Sequence, residues 1–525
     1  MNLLPLTQIR SYSGAGNSIE KPSLNSAGSN YSRKVEPEYA DSYDAPSGTD
    51  RPNARAISNA VCAQSEVTTD ERQLSAFSWT WGQFLDHDLV LTPGGERPDF
   101  PVRVPKGDPH FDPMGGGKAI VPVARSLGRT VNGRREQFNK ASGWIDASMV
   151  YGSDKERADA LRSFEGGLLK ESRPGYLPYN KDGLDNEDPF RGDPARLFLA
   201  GDRRANENLA LTSLQTLFMR EHNRVVKDLA KQYPESSDEE LYQAGRKVVG
   251  AQIQKITFDE FLPSLLGEEG LPEYEGYKPE TDASINNIFA SAAFRMGHSQ
   301  VGRAIRRIEE NGDEIEQGHL CLRAGYHQAP RLVNEGGVEP ILRGLSEYLQ
   351  ENTDTAIVDD LRNFLFGRPG QGGLDLAAVN IQRGRDHGLA SFNKVRESYG
   401  MPALESFSEL TDNQDVVKAL ETVYQSPEEL DPWVGFLAEK HDQGSSVGPT
   451  LKKVLVDQFS RLRDGDRFYY QNDPDIKRLA PDIENTRLVD IVKRNTSIEN
   501  IQDELFVARD SDPFDDPCRG GAPHH

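Results

Sequence analysis

The chain has 525 residues, 36% of them hydrophobic and 27% charged, with a formal net charge of −22. That balance describes a globular protein and argues against a broad nucleic-acid or anionic-membrane surface. No run of ~18 apolar residues is present, so no transmembrane helix is expected, while the length alone predicts more than one domain, because single cores stop growing near ~250–300 residues.

Residues 1–60 are rich in Ser, Asn, Gly and Pro and read as an extended arm without regular structure. The first residues show no basic segment followed by a long apolar core, so no signal peptide is expected. Cys62, Cys321 and Cys518 are far apart and form no CxxC. A zinc or thioredoxin-type site is therefore not expected, and at most one disulfide is possible.

A helix is predicted over residues 70–91, containing "WTWGQFLDHD". Leu74, Phe77, Trp81, Leu85 and Leu89 lie near one face, and Gln83 and His87, four apart, share a side. Asp86 and Asp88 flank His87. Residues 92–118 read as a loop whose GGGK lacks the spacing and the Ser/Thr of a phosphate-binding loop. In "SGWIDASMVYGSD", Ser142, Asp146 and Ser148, with the Trp144 carbonyl between, put oxygen donors at every second residue, as a loop that wraps a hard cation does. A polar loop that caps the next helix is the plainer reading of that stretch alone.

"FLAGDRRANENLALTS" brings Arg204 and Glu207 to the start of a long helix over residues 208–233, where Leu211, Leu214, Leu217, Phe218, Val225 and Leu229 repeat at helical spacing. Their ordinary roles there are a solvated Arg and helix-end electrostatics for Glu207. Further helices are predicted over 237–262, 283–309, 336–351, 355–366, 414–423 and 448–464. In "SAAFRMGHSQ", His298 follows small and apolar residues that let a flat group approach, and a neutral His there can ligate iron; a core His bonded to a carbonyl fits as well. In "LDLAAVNIQRGRDHG", the apolar-flanked Asn380 needs a partner, which a ligating imidazole's second ring N–H would supply. Arg383 and Arg385 fit equally as surface residues or as partners of carboxylates, which a guanidinium fork suits. His222 and His387 read as structural, and residues 511–525 as a loose tail.

Taken together, "WGQFLDHDL", "WIDASMVYGS", "FLAGDRRANENLALTSLQTLFMREHNR", "AFRMGH" and "LDLAAVNIQRGRDHG" resemble, in this order and spacing, the animal-type haem peroxidases of the peroxidase–cyclooxygenase superfamily. The resemblance runs from about Ile9 to about residue 510 and implies one large, mainly α catalytic domain over residues 61–510 with few short strands, displacing the two-domain expectation. It implies haem b and calcium as cofactors and hydrogen peroxide with small anions or phenols as substrates, the peroxide being reduced by way of a ferryl compound I. Its implied roles are catalytic for His87, Arg204 and Gln83; iron ligation for His298, with Asn380 as its partner; propionate binding for Arg295 and Arg383; ester links to haem for Asp86 and Glu207; and calcium for Asp88, Ser142, Trp144, Asp146 and Ser148.

Departures from the family pattern qualify this. Where myeloperoxidase carries a Met that links to haem, this chain has Asn208, so strong chloride oxidation is not expected and bromide, iodide, thiocyanate and phenols are the expected donors. Few cysteines and a short tail point to a bacterial or simple-eukaryote member. Secretion follows from the resemblance alone, and oligomeric state is not readable. Two alternatives stay open. A fatty-acid dioxygenase of the same superfamily would carry a Tyr three residues before the proximal His, where this chain has Arg295. A non-catalytic adhesion protein would be expected to lack part of the intact set Gln83, His87, Arg204, His298 and Asn380.

Overall fold

The computed structural model describes residue 4, residues 6–268, residues 270–508 and residue 518. Helices dominate. Strand is confined, among the described residues, to three two-stranded antiparallel pairs and isolated bridges. β1 (Val102–Arg103) pairs with β2 (Ile120–Val121), β3 (Gly128–Val131) with β4 (Arg134–Gln137), and β5 (Ala304–Ile305) with β6 (Leu320–Cys321). No described helix is long and apolar enough to cross a membrane.

The expected arm differs from the structure in two ways. Its last residues enter a helix, α1 (Ala54–Val61), whose first turn is capped by the Asn53 side chain, which accepts from Arg55 N and Ala56 N. Its earlier part, though irregular, is tied down: Arg10 holds Asp466 at 2.7 Å, and Asn30 and Ser32 bridge to Phe138 and Asn286.

The predicted helix at 70–91 shortens to α2 (Ala76–Leu89). Gln73 has φ +60°, and Leu74 and Ser75 pair with Val507 and Leu349, so the chain is extended until the Ser75 hydroxyl accepts from Phe77 N and starts the helix. The long helix is present as α3 (Leu209–Gln232), capped by Asn208. α2 and α3 pack through buried Trp81, Phe84 and Phe218, with ring centroids 5.2–5.7 Å apart. Each such ring is worth roughly 1.5–3 kcal/mol by burial. α4 (Asp238–Ile256) continues into a π-helical turn, Thr257–Phe261.

The predicted helix at 283–309 breaks into Asn287–Ser291, a 3₁₀ turn Ala293–Met296, and α5 (Gly297–Gln300). Ser291 turns its hydroxyl back to the Asn287 carbonyl, which bends a helix, and Ala292 leaves helical geometry. Residues 304–305 then become strand. Of 336–351, only Glu339–Glu347 is helical, because Gly336 and Gly337 have φ near +90° and +82° and Leu349 and Glu351 bridge as strand. Of 355–366, only Asp359–Arg362 is helical. The helices at Gln414–Val423 and Pro449–Asp464 match expectation. α6 (Leu376–Asp386) and α7 (Pro432–Ala438) pack together, and α7 packs on the 3₁₀ turn before α5.

The expected tail lies outside the described residues except for Cys518, which forms a disulfide with Cys321, the one bridge three cysteines allow. Cys62 is free and buried.

Candidate active site

α2 carries Gln83, Asp86, His87 and Asp88 into the interior because its Trp81/Phe84 side is pinned to α3. α2 also packs against α5, which carries His298. The two histidines therefore sit on neighbouring elements.

On the α2 side, Gln83 Nε2 donates to Glu207 Oε2 at 2.7 Å, and Asn208 Nδ2 donates to Gln83 Oε1 at 2.9 Å. His87 is buried, with Nδ1 3.5 Å from Asp202 Oδ1 and Nε2 3.7 Å from Glu207 Oε2. Burial, followed by the Arg204 charge, pushes the imidazole down to about 3, so it is neutral. Arg204 donates through Nε to Asp202 Oδ1 (2.8 Å) and through Nη2 to Asp202 Oδ2 (2.9 Å) and the Val90 carbonyl (2.7 Å); its Nη1 is 3.6 Å from Asp86 Oδ2. This fork holds the guanidinium charged and, against the cost of burial, keeps Asp202 well below the usual carboxylate range. Asp86 is pushed up to about 6, chiefly by burial, and Glu207 is also raised by burial, then by Glu187.

Asp202 was not singled out by sequence. Its signal was an acid two residues before Arg204 in a segment preceding a helix cap, a pattern that surface turns share.

On the α5 side, His298 Nδ1 lies 2.8 Å from Asn380 Nδ2, and Asn380 Oδ1 accepts from Arg295 Nη1 at 3.1 Å. Burial, then Arg295, pushes His298 down to about 3. Arg295 forms no ion pair among the described residues; its Nε donates to the Ala290 carbonyl, and it lies in the fields of Asp86 and Arg204 as well as that of Arg383. Thus Arg295 joins the two sides, and burial pushes it down to about 10. A half-buried cation without a carboxylate partner among the described residues fits an anionic group such as a propionate. Arg383 is more committed, donating to the Ala124 carbonyl, the Ser126 hydroxyl and Asp386.

Asp88 leaves the site on the far side of α2. Its Oδ2 accepts from Asp146 N and Ala147 N (3.0 and 3.1 Å), and its Oδ1 accepts from the Ser148 hydroxyl (2.7 Å). The Ser142 hydroxyl donates to Asp146 Oδ2 at 2.7 Å. Trp144 is buried in the middle of this loop, and Ala147 has the left-handed φ of +66° that folds the loop over Asp88. Both carboxyls are raised, chiefly by burial, and neither forms an ion pair among the described residues. Two buried acids with hydroxyls beside them and no ion pair among the described residues fit a hard cation.

His222 and His387 are held by hydrogen bonds on both ring nitrogens, His222 by Tyr151 and the Gly167 carbonyl, His387 by Ser126 and Asn287.

The animal haem peroxidase family model matches residues 9–506. The chain is 37% identical over 516 residues to peroxinectin A of Dictyostelium discoideum, covering 95% of this chain and 96% of that protein. Its structure is similar to that of peroxidase A from Dictyostelium discoideum, with a TM-score of 0.90, 35% identity, and coverage of 96% of this chain and all of that one. A fatty acid alpha-dioxygenase of Arabidopsis thaliana has the same fold at a TM-score of 0.81 and 20% identity, over 96% of this chain and 84% of that one. This mainly helical chain, a peroxidase enzyme, belongs to the animal haem peroxidase family.

Proposed function

We propose that the chain binds haem b between His87 and His298 and uses it to reduce hydrogen peroxide while oxidising bromide, iodide, thiocyanate or phenols. The observation that carries this reading is that α2 and α5 pack together, setting a neutral His87 with its forked Arg204 on one side and the His298–Asn380 pair on the other, with Arg295 in the electrostatic reach of both. When bound, the haem supplies the redox chemistry, accepting oxidising equivalents from peroxide and passing them to the donor.

The protein's own residues do the rest. The Asp202 carboxylate 3.5 Å from Nδ1 favours the His87 tautomer with its proton there. Nε2 then keeps its lone pair, takes a proton from peroxide and returns it to the leaving oxygen. Arg204, fixed by Asp202, stabilises the charge that develops as the O–O bond breaks. Gln83, gripped by Glu207 and Asn208, positions water or halide.

On the other side, iron ligation needs the His298 Nε2 lone pair, so the ring proton belongs on Nδ1. Half a turn of the Asn380 amide presents its oxygen to that proton and releases Arg295 for a propionate, with Arg383 as the second propionate partner. Asp86 and Glu207 are the carboxyls available for ester links to haem. Asp88, Ser142, the Trp144 carbonyl, Asp146 and Ser148 form the calcium site, which ties the His87 turn of α2 to the loop. Arg295, where an oxygenase would carry its Tyr, leaves fatty-acid oxygenation unsupported.

His87→Ala tests the reading. Loss of the general acid–base is expected to slow the reaction with peroxide by roughly 10²–10⁴-fold while the Soret band persists. A variant that holds haem and reacts with peroxide at the wild-type rate would overturn the assignment.

A further inference from the structure

Away from His87, the π-helical turn Thr257–Phe261 lines a surface cavity of about 390 Å³. Wide turns of this kind recur at functional sites. Phe258, Leu262, Leu271, Tyr274 and Tyr469 form its apolar wall. The Tyr274 hydroxyl is buried and has no hydrogen-bond partner among the described residues.

From this wall a series of rings runs inward. Tyr274 and Tyr469 have centroids 4.7 Å apart, Tyr469 and Phe258 5.5 Å, Phe258 and Phe459 6.4 Å, and Phe459 and Phe294 5.5 Å. Phe294 adjoins Arg295 and stands four residues before His298. Ordinary core packing accounts for the phenylalanines. It does not account for two phenols at the outer end, or for the hydrogen bond from Tyr470 to an exposed carboxylate behind them. Behind Tyr469 stands Tyr470, its ring centroid 4.8 Å away, and the Tyr470 hydroxyl donates to Glu484 Oε2 at 3.5 Å, where Glu484 is exposed.

We propose that this cavity is a second donor-oxidation site, in which Tyr469 relays single electrons from bulky phenols to the haem pocket. The proposal rests on the haem peroxidase reading above. In each transfer Tyr469 gives one electron along the phenylalanine bridge to the oxidised cofactor. Its phenolic proton passes to the Tyr470 oxygen, and Tyr470 gives its own proton to the Glu484 carboxylate, which releases it to water. The Tyr469 phenoxyl then takes one hydrogen atom, an electron with its proton, from the donor phenol, which leaves as a phenoxyl radical. Two donors consume the two oxidising equivalents of one peroxide. Three carboxylates, Asp259, Glu268 and Glu273, line the cavity against one cation, Arg463, whose guanidinium is taken up by Asp464 and the Pro272 and Glu273 carbonyls, so the mouth disfavours halides and admits neutral aromatic rings.

The test runs two donors in parallel on the haem-loaded enzyme: iodide, and a phenol carried on a polyethylene glycol chain too bulky for the haem edge. Tyr469→Phe is expected to cut oxidation of the tethered phenol by about tenfold or more and to leave iodide oxidation within about twofold. Equal losses on both donors, or no loss on either, would overturn the second site. Wild-type enzyme that oxidises iodide but not the tethered phenol removes this site alone, and wild-type enzyme that oxidises neither removes the peroxidase reading as well. Should Y469F fail to hold haem, electron paramagnetic resonance of the wild type decides. After peroxide without donor, a tyrosyl radical whose splitting changes with ring-deuterated tyrosine is expected, and its absence overturns the relay.

Discussion

Asn208 holds Gln83: its Nδ2 donates to Gln83 Oε1 at 2.9 Å while its Oδ1 accepts from Leu211 N at 2.9 Å and caps α3. One side chain thus fixes both the helix that follows it and the Gln proposed to position the donor. Asn208→Ala is expected to lose about 1 kcal/mol from the missing cap and to weaken iodide oxidation through a mobile Gln83. Asn208→Asp keeps the cap oxygen but not the donated bond, so it should restore stability and not activity. Urea denaturation with iodide kinetics checks this; an N208A variant as stable and active as wild type would contradict it.

Asp202 is the residue on which Arg204 depends. Replacing it with Asn removes the negative charge from a buried pair, which costs roughly 3–5 kcal/mol, and frees the guanidinium. D202N is expected to react with peroxide about 10²-fold more slowly, with a smaller change in donor KM. Stopped-flow absorption at the Soret band measures the step. A peroxide rate near that of wild type would show that Arg204 is positioned without Asp202.

Calcium removal should be felt at His87, one residue from Asp88. Without a cation, the buried Asp88 and Asp146 carboxyls disfavour each other's charge, and the loop at Ala147 loses its anchor. At a free calcium of about a hundred times Kd, the bound ion contributes about 2.7 kcal/mol by mass action. Chelation is therefore expected to lower Tm and peroxide reactivity together, both restored by added calcium. Turnover and Tm unchanged after verified stripping would contradict the site.

The proximal side should show its own acid sensitivity. Asp431 is buried, which raises its carboxyl, but Arg385 (3.0 and 2.7 Å) and Arg51 (3.1 Å) outweigh burial and hold it below its ordinary 3.8. A folded-state pKa below the unfolded value means stability fully present above 3.8 and lost as pH falls through the lower value. Acid unfolding followed by circular dichroism should steepen below that point, and Asp431→Asn should flatten this limb while lowering stability at neutral pH. An unchanged acid limb in D431N would contradict the linkage.

The long amphipathic segments were legible because periodicity survives wherever one face is buried, as along α3. Breaks were not. Ala292 and Ser291 sit in a sequence that favours helix, and the interruption that presents His298 comes from a side-chain-to-backbone bond no pattern announces. The family was legible through joint motif spacing, and so was the nearness of Gln83, Arg204 and Glu207 and of His298 and Asn380. Asp202 and the second role of Asn208 were not, because an acid near an Arg and an Asn before a helix are ordinary surface features until burial and distance are known. The ring series from Tyr274 to Phe294 was invisible for a different reason: it is assembled from four separate stretches of chain.

His298 and His87 are proposed to face one haem. The most direct test is the absorption spectrum of purified, haem-supplied protein beside that of His298→Ala, followed by acid–acetone extraction after peroxide cycling. The wild type should show a Soret band, altered or lost in H298A, with haem that resists extraction once the proposed Asp86 and Glu207 esters have formed. A protein that shows no Soret band with haem supplied, or a band that H298A leaves unchanged, would contradict it.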